Sequence, residues 1–228
     1  MSHQALHQQP KNQTDVVSIE RIKAPTSMSP RQCLEYLESV WKQDEPPSVY
    51  SNERLRQLLQ EPLEVIVKQI DNRQTDVLEK WLHEDCHFIE ECSDNLNAGT
   101  GKILRSGSKK EAISLFSKKN ETRSERSVVI DTLVDHCNIT CVYEATVEIE
   151  GRKDGKWVQN QPNKFYSAAL YLEIDNDFKI IKMKYRHTDE VPSNLSMKDL
   201  VIAEAKLKRD RKASAAMAAY GDAIMLLR

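Results

Sequence analysis

The chain has 228 residues, of which 39% are hydrophobic and 30% charged, and its formal net charge is −2 at pH 7. This length and hydrophobic content suit one domain of ordinary size with appended segments. A charge so close to zero provides no field that would steer a polyanion, so we expect no nucleic-acid partner.

The compartment is predicted from three absences in the sequence. Residues 1–13 are rich in His and Gln and lack the apolar core of a secretory signal peptide. No apolar run approaches the roughly 20 residues that span a bilayer, so we expect no membrane association. The five cysteines, an odd number, favour reduced thiols over a disulfide framework. We therefore expect a cytoplasmic protein, with a nucleocytoplasmic location as the alternative.

The N-terminal part of the chain is predicted to lie outside the main domain. Residues 1–29 are polar and show no periodicity, which is typical of a disordered tail. Ser29-Pro30 is a helix start signal, and Pro46-Pro47 cannot continue a helix. Residues 30–50 are therefore interpreted as a short helix and linker that either docks on the domain or binds a partner.

The main domain is predicted to cover residues 51–191 and to begin with helices. Apolar residues recur every three or four positions from Leu55 to Ile70, which predicts a helix. Pro62 lies inside this pattern and is interpreted as the first turn of a helix, where proline costs nothing. Asp76 and Glu79 form a capping-box pattern that predicts a second helix ending near Glu84, followed by a short strand over 86–91.

The second half of the domain is predicted to be a sheet. After a polar loop over 93–107, Ser108 and Glu111 form a capping box that opens a third helix. The period then becomes two, which predicts strands over 127–134, 138–150, 164–174 and 178–187. The strand over 138–150 alternates apolar and polar residues, so one face should be buried. The strand over 164–174 is apolar on both faces, so something must also cover its outer side.

Residues 192–228 are predicted to form a C-terminal helix. Its middle, residues 206–212, is strongly basic. Three interpretations stay open for this stretch: a solvated helix face, a nuclear-localisation or nucleic-acid patch, and a helix that binds a protein partner.

The order of these elements resembles the nuclear transport factor 2-like fold, including its SnoaL-like branch. Three segments carry the resemblance: Asp71–Phe88, Gly107–Ile113 and Asp177–Tyr185. The resemblance implies an α+β cone, with helices packed on a curved antiparallel sheet around a cavity that can hold a small apolar ligand. It also implies a homodimer formed through the outer face of the sheet. Nothing in the sequence indicates a cofactor.

Two patterns suggest metal binding, and both are weak. His83-Glu84-Asp85-Cys86-His87 matches a zinc-protease motif, which needs both histidines on one helix. Here the helix is predicted to end before His87. Cys86 or Cys92 could combine with His136, Cys137 and Cys141, but no closely spaced cysteine pair is present. We therefore predict no metal site and buried, inert thiols.

Acid–base chemistry is the remaining catalytic possibility. By strand alternation four side chains are candidates for the inside of the cone, namely Tyr143, Tyr171, Tyr185 and His187, and Asp131, Asp189 or His87 are candidates for its rim. No Asp/Tyr pair of the ketosteroid-isomerase kind is identifiable, and there is no phosphate-binding glycine loop or Gly-x-Ser-x-Gly elbow.

The sequence leaves two functions open. The first expectation is a non-enzymatic binding or adaptor protein, because no complete catalytic set stands out. The alternative is a small-molecule isomerase, cyclase or dehydratase of the SnoaL-like type that uses cavity His and Tyr residues. A cavity filled by Phe, Trp and Leu side chains would favour the adaptor, and a deep cavity with two or more converging ionisable groups would favour the enzyme.

Overall fold

The computed structural model describes residues 28–42, 45–94, 96, 101–118, 123–153, 156–159 and 163–193, together with residues 202, 205, 206 and 209. The predicted tail up to residue 27 lies outside these residues, as does most of the predicted C-terminal helix. The division of the chain into a tail, a short helix, a domain and a C-terminal helix therefore stays a prediction.

Four α-helices are described: α1 (Pro30–Trp41), α2 (Asn52–Asp71), α3 (Asp76–Trp81) and α4 (Lys109–Ser117). Helix α1 begins at a capping box between Ser29 and Gln32, as its start signal predicts. Its Cys33 and Leu37 are fully buried, and Lys179 Nζ lies 3.3 Å from the ring centroid of Trp41. Helix α1 thus docks on the domain, which was one of the two options left open.

The interpretation of Pro62 as a first turn is wrong, because α2 runs through it without a break. A proline inside a helix has no N–H for the carbonyl four residues earlier, which here belongs to Leu58. The hydroxyl of Tyr36 in α1 donates a hydrogen bond to that carbonyl at 3.1 Å. A neighbouring helix therefore supplies the missing donor and allows α2 to continue.

The predicted capping box of α3 does not form either. Thr75 is the residue before the helix, and its side chain makes no capping hydrogen bond. The side chain of Gln69, which lies in α2, caps α3 instead. Its Oε1 accepts a hydrogen bond from the Val77 N–H at 3.0 Å. Helix α3 also ends at Trp81, earlier than the predicted Glu84, and its last residue donates through the indole Nε1 to the Phe178 carbonyl at 2.7 Å.

Eight strands are described: β1 (Leu82–Cys92), β2 (Lys102–Gly107), β3 (Arg123–Asp135), β4 (Asn138–Lys153), β5 (Lys156–Gln159), β6 (Lys164–Ile174), β7 (Ile180–His187) and β8 (Val191–Pro192). Strand β6 has the predicted bounds, and β1, β3 and β4 are longer than predicted. Strand β7 begins two residues late because Phe178 has a φ of 58°, a left-handed conformation that does not continue a strand. Strand β2 was interpreted as loop.

The main path of the sheet has the strand order β2-β1-β7-β6-β4-β3, with β5 paired to β4 and β8 to β6. Strands β1 and β7 are parallel, and the other neighbouring strands are antiparallel. Helices α2 and α4 contact β3 and β1. The sheet is curved and does not close. The predicted α+β class, with helices packed on a curved and mainly antiparallel sheet, is confirmed.

No helix in the described parts of the chain is both long enough and apolar enough to span a membrane.

Candidate active site

A cavity of about 550 Å³ lies between the inner face of the sheet, the end of α2 and helix α4. Its size is within the range of small-molecule sites. The residues that line it come from two helices, the turn after α2, four strands and the segment after β7: Ile70, Arg73, Glu90, Leu115, Phe116, Arg123, Glu125, Tyr166, Tyr185, His187, Thr188, Asp189 and Glu190. More than half of these side chains are ionisable, so the cavity is not filled by an apolar plug.

An imidazole–carboxylate pair lies on one wall of the cavity. His187 Nε2 lies 3.6 Å from Glu90 Oε1, and the Glu90 side chain is only 8% exposed. On the other side of the ring, His187 Nδ1 is 3.1 Å from the carbonyl oxygen of Thr188. A carbonyl can only accept, so this contact places a proton on Nδ1 and leaves Nε2 as the nitrogen that gains or loses one.

The surroundings of this pair favour the charged forms of both groups. Burial, the largest single effect, lowers the pKa of His187, but the hydrogen bond and charge of Glu90, with the Thr188 carbonyl and Asp189, raise that pKa above its ordinary value. Burial alone would raise the pKa of Glu90, but His187 and Arg105 together lower it. Arg105 Nε lies 2.5 Å from Glu90 Oε2. At neutral pH Glu90 is therefore ionised, and its charge favours the protonated form of His187.

Aromatic side chains form the wall beside His187. Tyr185 stacks on the His187 ring with 5.1 Å between ring centroids, and Phe116 meets Tyr185 edge to face at 5.2 Å. Burial is the main cause that raises the pKa of the Tyr185, Tyr166 and Tyr143 hydroxyls. These hydroxyls stay protonated at neutral pH. Tyr185 and Tyr166 can therefore donate hydrogen bonds into the cavity.

Another part of the cavity wall carries a network of ion pairs around Glu125, whose side chain is 4% exposed. Arg73 Nη2 lies 2.7 Å from Glu125 Oε2, and Arg123 Nε donates to Glu125 Oε1 at 2.6 Å. Arg123 Nη1 also lies 2.5 Å from Glu190 Oε1, and Lys164 Nζ lies 3.2 Å from Glu190 Oε2. Three cations and two carboxylates thus meet where the segment after β7 passes the start of β3 and β6.

One further carboxylate lies behind this wall. Asp71, the last residue of α2, accepts hydrogen bonds from the Ser127 N–H at 2.7 Å and the Ser127 hydroxyl at 2.6 Å. Burial raises the pKa of Asp71 to about 6, with the negative charge of Glu125 adding to the effect and the Ser127 hydrogen bonds opposing it. Asp71 does not line the cavity and has a structural role as the link between α2 and β3.

Three of the predicted site residues line the cavity together: Tyr185, His187 and Asp189. Tyr143 lies on the same face of the sheet but is only 1% exposed, behind the cavity wall. Its hydroxyl makes no hydrogen bond of ordinary geometry to a described residue, although Tyr185 and Tyr166 are close enough to affect its pKa.

Tyr171, Asp131 and His87 do not reach the cavity. Tyr171 pairs with Lys184, whereas its neighbour Leu170 pairs with Tyr185, so Tyr171 lies on the outer face. Asp131 would lie on the inner face with Val129 by simple alternation. A β-bulge between them shifts the register and places Asp131 opposite Val142, on the outer face. His87 is exposed on the outer face of β1, opposite Lys182.

Seven polar residues of the cavity were missed from the sequence: Arg73, Glu90, Arg123, Glu125, Tyr166, Thr188 and Glu190. A signal for Glu90 was present, because it follows Cys86 and Phe88 at a spacing of two and so shares their buried face. Arg123 and Glu125 continue the inward alternation of Ser127 and Val129, but the predicted strand began only at Ser127. Charged residues at the start of a strand usually indicate its solvent-exposed end. For this reason Arg123 and Glu125 were not predicted to line the cavity.

Neither of the metal patterns has the geometry that it needs. His83 and His87 lie on strand β1, not on a helix, so the His-Glu-x-x-His match lacks its structural context. Within the described part of the chain, no group of three or more His, Cys, Asp or Glu side chains is placed to hold a metal ion. All five cysteines are free thiols, and burial raises the pKa of Cys86 to about 11.

No protein-family model matches the chain, and no curated protein matches it. Among the solved structures, a protein described as a SnoaL-like polyketide cyclase from Jannaschia is 13% identical, over 72% of this chain and 91% of that one, with a TM-score of 0.38.

A nuclear transport factor 2-like protein of unknown function from Shewanella baltica is 6% identical, over 63% of this chain and 99% of that one, with a TM-score of 0.39. An LEH-like epoxide hydrolase from M. tuberculosis is 10% identical, over 55% of this chain and 78% of that one, with a TM-score of 0.36. At such identities and TM-scores these similarities carry no inference about activity or assembly.

Proposed function

We propose that this protein is a small-molecule enzyme in which His187 moves a proton at a carbon atom next to a carbonyl group of the substrate, as an isomerase, cyclase or dehydratase does. The observation that carries the proposal is the placement of His187 Nε2, 3.6 Å from the buried Glu90 carboxylate, on the wall of a 550 Å³ cavity. A general base needs both access to the substrate and a pKa near the working pH.

The neighbours of His187 suit the two steps of such a reaction, which are removal of the proton and stabilisation of the enolate. Glu90 and the Thr188 carbonyl hold the ring in one orientation, and Glu90 stabilises the imidazolium that forms when Nε2 accepts the proton. The electron pair left on carbon moves to the carbonyl oxygen, and the protonated Tyr185 or Tyr166 hydroxyl donates a hydrogen bond to the resulting enolate. Return of the proton from Nε2 to a different carbon completes an isomerisation.

The cavity is also the reason for preferring the enzyme to the adaptor. Ionisable groups converge in it, and Phe116 and Leu115 line it without filling it. The adaptor function is expected from the sequence because no complete catalytic set stands out, and the ionisable groups that converge in the cavity weaken that ground. It therefore gains no support here and stays a prediction. The same holds for a protein partner of the C-terminal helix, for the homodimer and for the cytoplasmic location.

Proton abstraction can be tested without knowledge of the natural substrate. The full chain is incubated in D₂O with simple ketones that fit the cavity, such as 2-tetralone and 4-phenyl-2-butanone, and loss of the α-proton signal is followed by NMR. We expect exchange faster than in buffer alone, and a loss of about 100-fold in His187→Gln.

Two variants control this experiment. Glu90→Gln keeps the shape of the carboxylate and should slow exchange less than His187→Gln does. His83→Gln removes an imidazole outside the cavity and should exchange like the wild type. Exchange no faster than in buffer for every ketone, or equal exchange in the wild type and His187→Gln, would show that His187 is not the base.

A further inference from the structure

Glu190 occupies a position that suits the carboxylate of a ligand better than a structural ion pair. Two cations from different strands converge on it: Arg123 Nη1 at 2.5 Å from one oxygen and Lys164 Nζ at 3.2 Å from the other. Charge-assisted contacts to both oxygens are how proteins recognise carboxylates and phosphates. Burial alone would raise the pKa of Glu190, but Arg123 and Lys164 together lower it, so the side chain is anionic.

We infer that the cavity recognises small aromatic carboxylic acids, whose carboxylate takes the place of the Glu190 side chain on Arg123 and Lys164. This inference rests on the proposed function for the cavity, and it adds the class of the substrate.

The backbone around Glu190 allows this exchange without unfolding. The segment 188–193 is held to β6 on both sides of Glu190, since the Thr188 N–H donates to the Ser167 carbonyl and the Ser193 N–H to the Asn163 carbonyl. The Glu190 side chain is 26% exposed, so it borders solvent and needs only a rotamer change to leave the cavity. The two cations stay in place when it does.

The net charge of the side chains around Glu190 favours the binding of an anion once Glu190 has turned away. Arg73, Arg123 and Lys164 face Glu125 and Glu190, which leaves a net charge of +1 for these five side chains while Glu190 is in place. With Glu190 turned out to solvent the balance is +2, in a partly buried site. Glu125 cannot leave in the same way, because its side chain is 4% exposed and both arginines bind it.

The rest of the cavity suits the body of an aromatic acid. Phe116, Tyr166 and Tyr185 line the cavity together with Arg123, so a ring can pack on them while its carboxylate meets the guanidinium. Aromatic side chains prefer offset or edge-to-face contacts with such a ring.

The test is a binding titration with a matched pair of probes, 2-naphthylacetic acid and its neutral amide, by calorimetry on the full chain. We expect the acid to bind the wild type at least about fivefold more tightly than the amide. Removal of the competing internal carboxylate in Glu190→Gln should strengthen acid binding about tenfold and leave amide binding within about twofold. Acid binding should also weaken as salt is added.

Three control variants separate this site from a general charge effect. Arg123→Gln and Lys164→Gln should each abolish the preference for the acid, and Lys164→Gln serves alone if Arg123→Gln does not fold. Glu173→Gln removes a carboxylate paired with Lys182 outside the cavity, and it should bind both probes like the wild type. Acid binding that is unchanged in Glu190→Gln, or equal affinity of the wild type for acid and amide, would overturn the inference.

The outcome is independent of proton transfer, because His187→Gln should still bind the acid. Acid preference without any ketone exchange would reject the proposed reaction and keep the carboxylate site. Exchange on neutral ketones without acid preference would reject the carboxylate site alone.

Discussion

At the scale of a single residue, Glu125 is a charged side chain that the fold buries almost completely. Its carboxylate is almost fully buried between two arginines. Loss of one member of a buried ion network leaves the others without compensation, at a cost of about 3–5 kcal/mol. We therefore expect Glu125→Gln to lower the free energy of unfolding by about 3 kcal/mol in urea denaturation.

The matched control for this prediction is Glu173→Gln, which breaks the more exposed pair with Lys182. Exposed pairs contribute about 1 kcal/mol or less, so the free energy of unfolding of this variant should be close to that of the wild type. Equal stability of the two variants would mean that the network around Glu125 does not support the fold.

Asp71 makes a second prediction, about pH. Burial raises its pKa in the folded protein to about 6, above the ordinary value of 3.8, so the folded state binds this proton more tightly than the unfolded chain. The stability that Asp71 contributes is therefore fully present below about pH 4 and is lost as the pH rises through 6. Asp71→Asn removes this titration and can keep both contacts with Ser127.

The measurement is the difference in free energy of unfolding between Asp71→Asn and the wild type from pH 4 to pH 8. This difference should move in favour of the variant by about 2–3 kcal/mol across that range. A difference that stays constant with pH would contradict the raised pKa.

At the scale of elements, the continuity of α2 depends on its neighbour α1. Tyr36 donates to the Leu58 carbonyl that Pro62 leaves without a helical partner. Tyr36→Phe should therefore lower the free energy of unfolding by about 1–2 kcal/mol, because a buried carbonyl loses its donor. In a Pro62→Ala background the alanine N–H can serve Leu58, so the same change should cost clearly less. Equal costs in both backgrounds, measured by thermal melting, would refute this role of Tyr36.

The helices and strands also show which parts of the fold could be predicted from the sequence. Periodicity and capping signals predicted α1, α4 and the strands β3, β4, β6 and β7 because those signals are local. The continuation of α2 through Pro62 could not be predicted, since the donor comes from a residue 22 positions away in sequence. Likewise His187, Tyr185 and Asp189 follow from alternation on β7, but the bulge that turns Asp131 outward depends on how β3 pairs with β4.

At the scale of the whole molecule, the formation of a homodimer stays a prediction. Strand β6 is apolar on both faces by sequence, although Ala169 on its outer face is already fully buried within the single chain. We expect a homodimer through the outer face, so sedimentation at micromolar concentration should give twice the chain mass of 26.2 kDa. A truncation after Arg211 should keep the cooperative melting transition and weaken association. A clean monomer of the full chain would contradict this expectation.

The central claim is that Glu90 and His187 form one acid–base pair in the cavity, and an NMR titration of the His187 imidazole tests it most directly. The wild type should titrate with a pKa above the ordinary value of 6.5, because Glu90 stabilises the imidazolium. In Glu90→Gln the charge is gone and burial dominates, so the pKa should fall below that of the wild type. A His187 that titrates at or below 6.5 in the wild type, or equally in both proteins, would contradict the account.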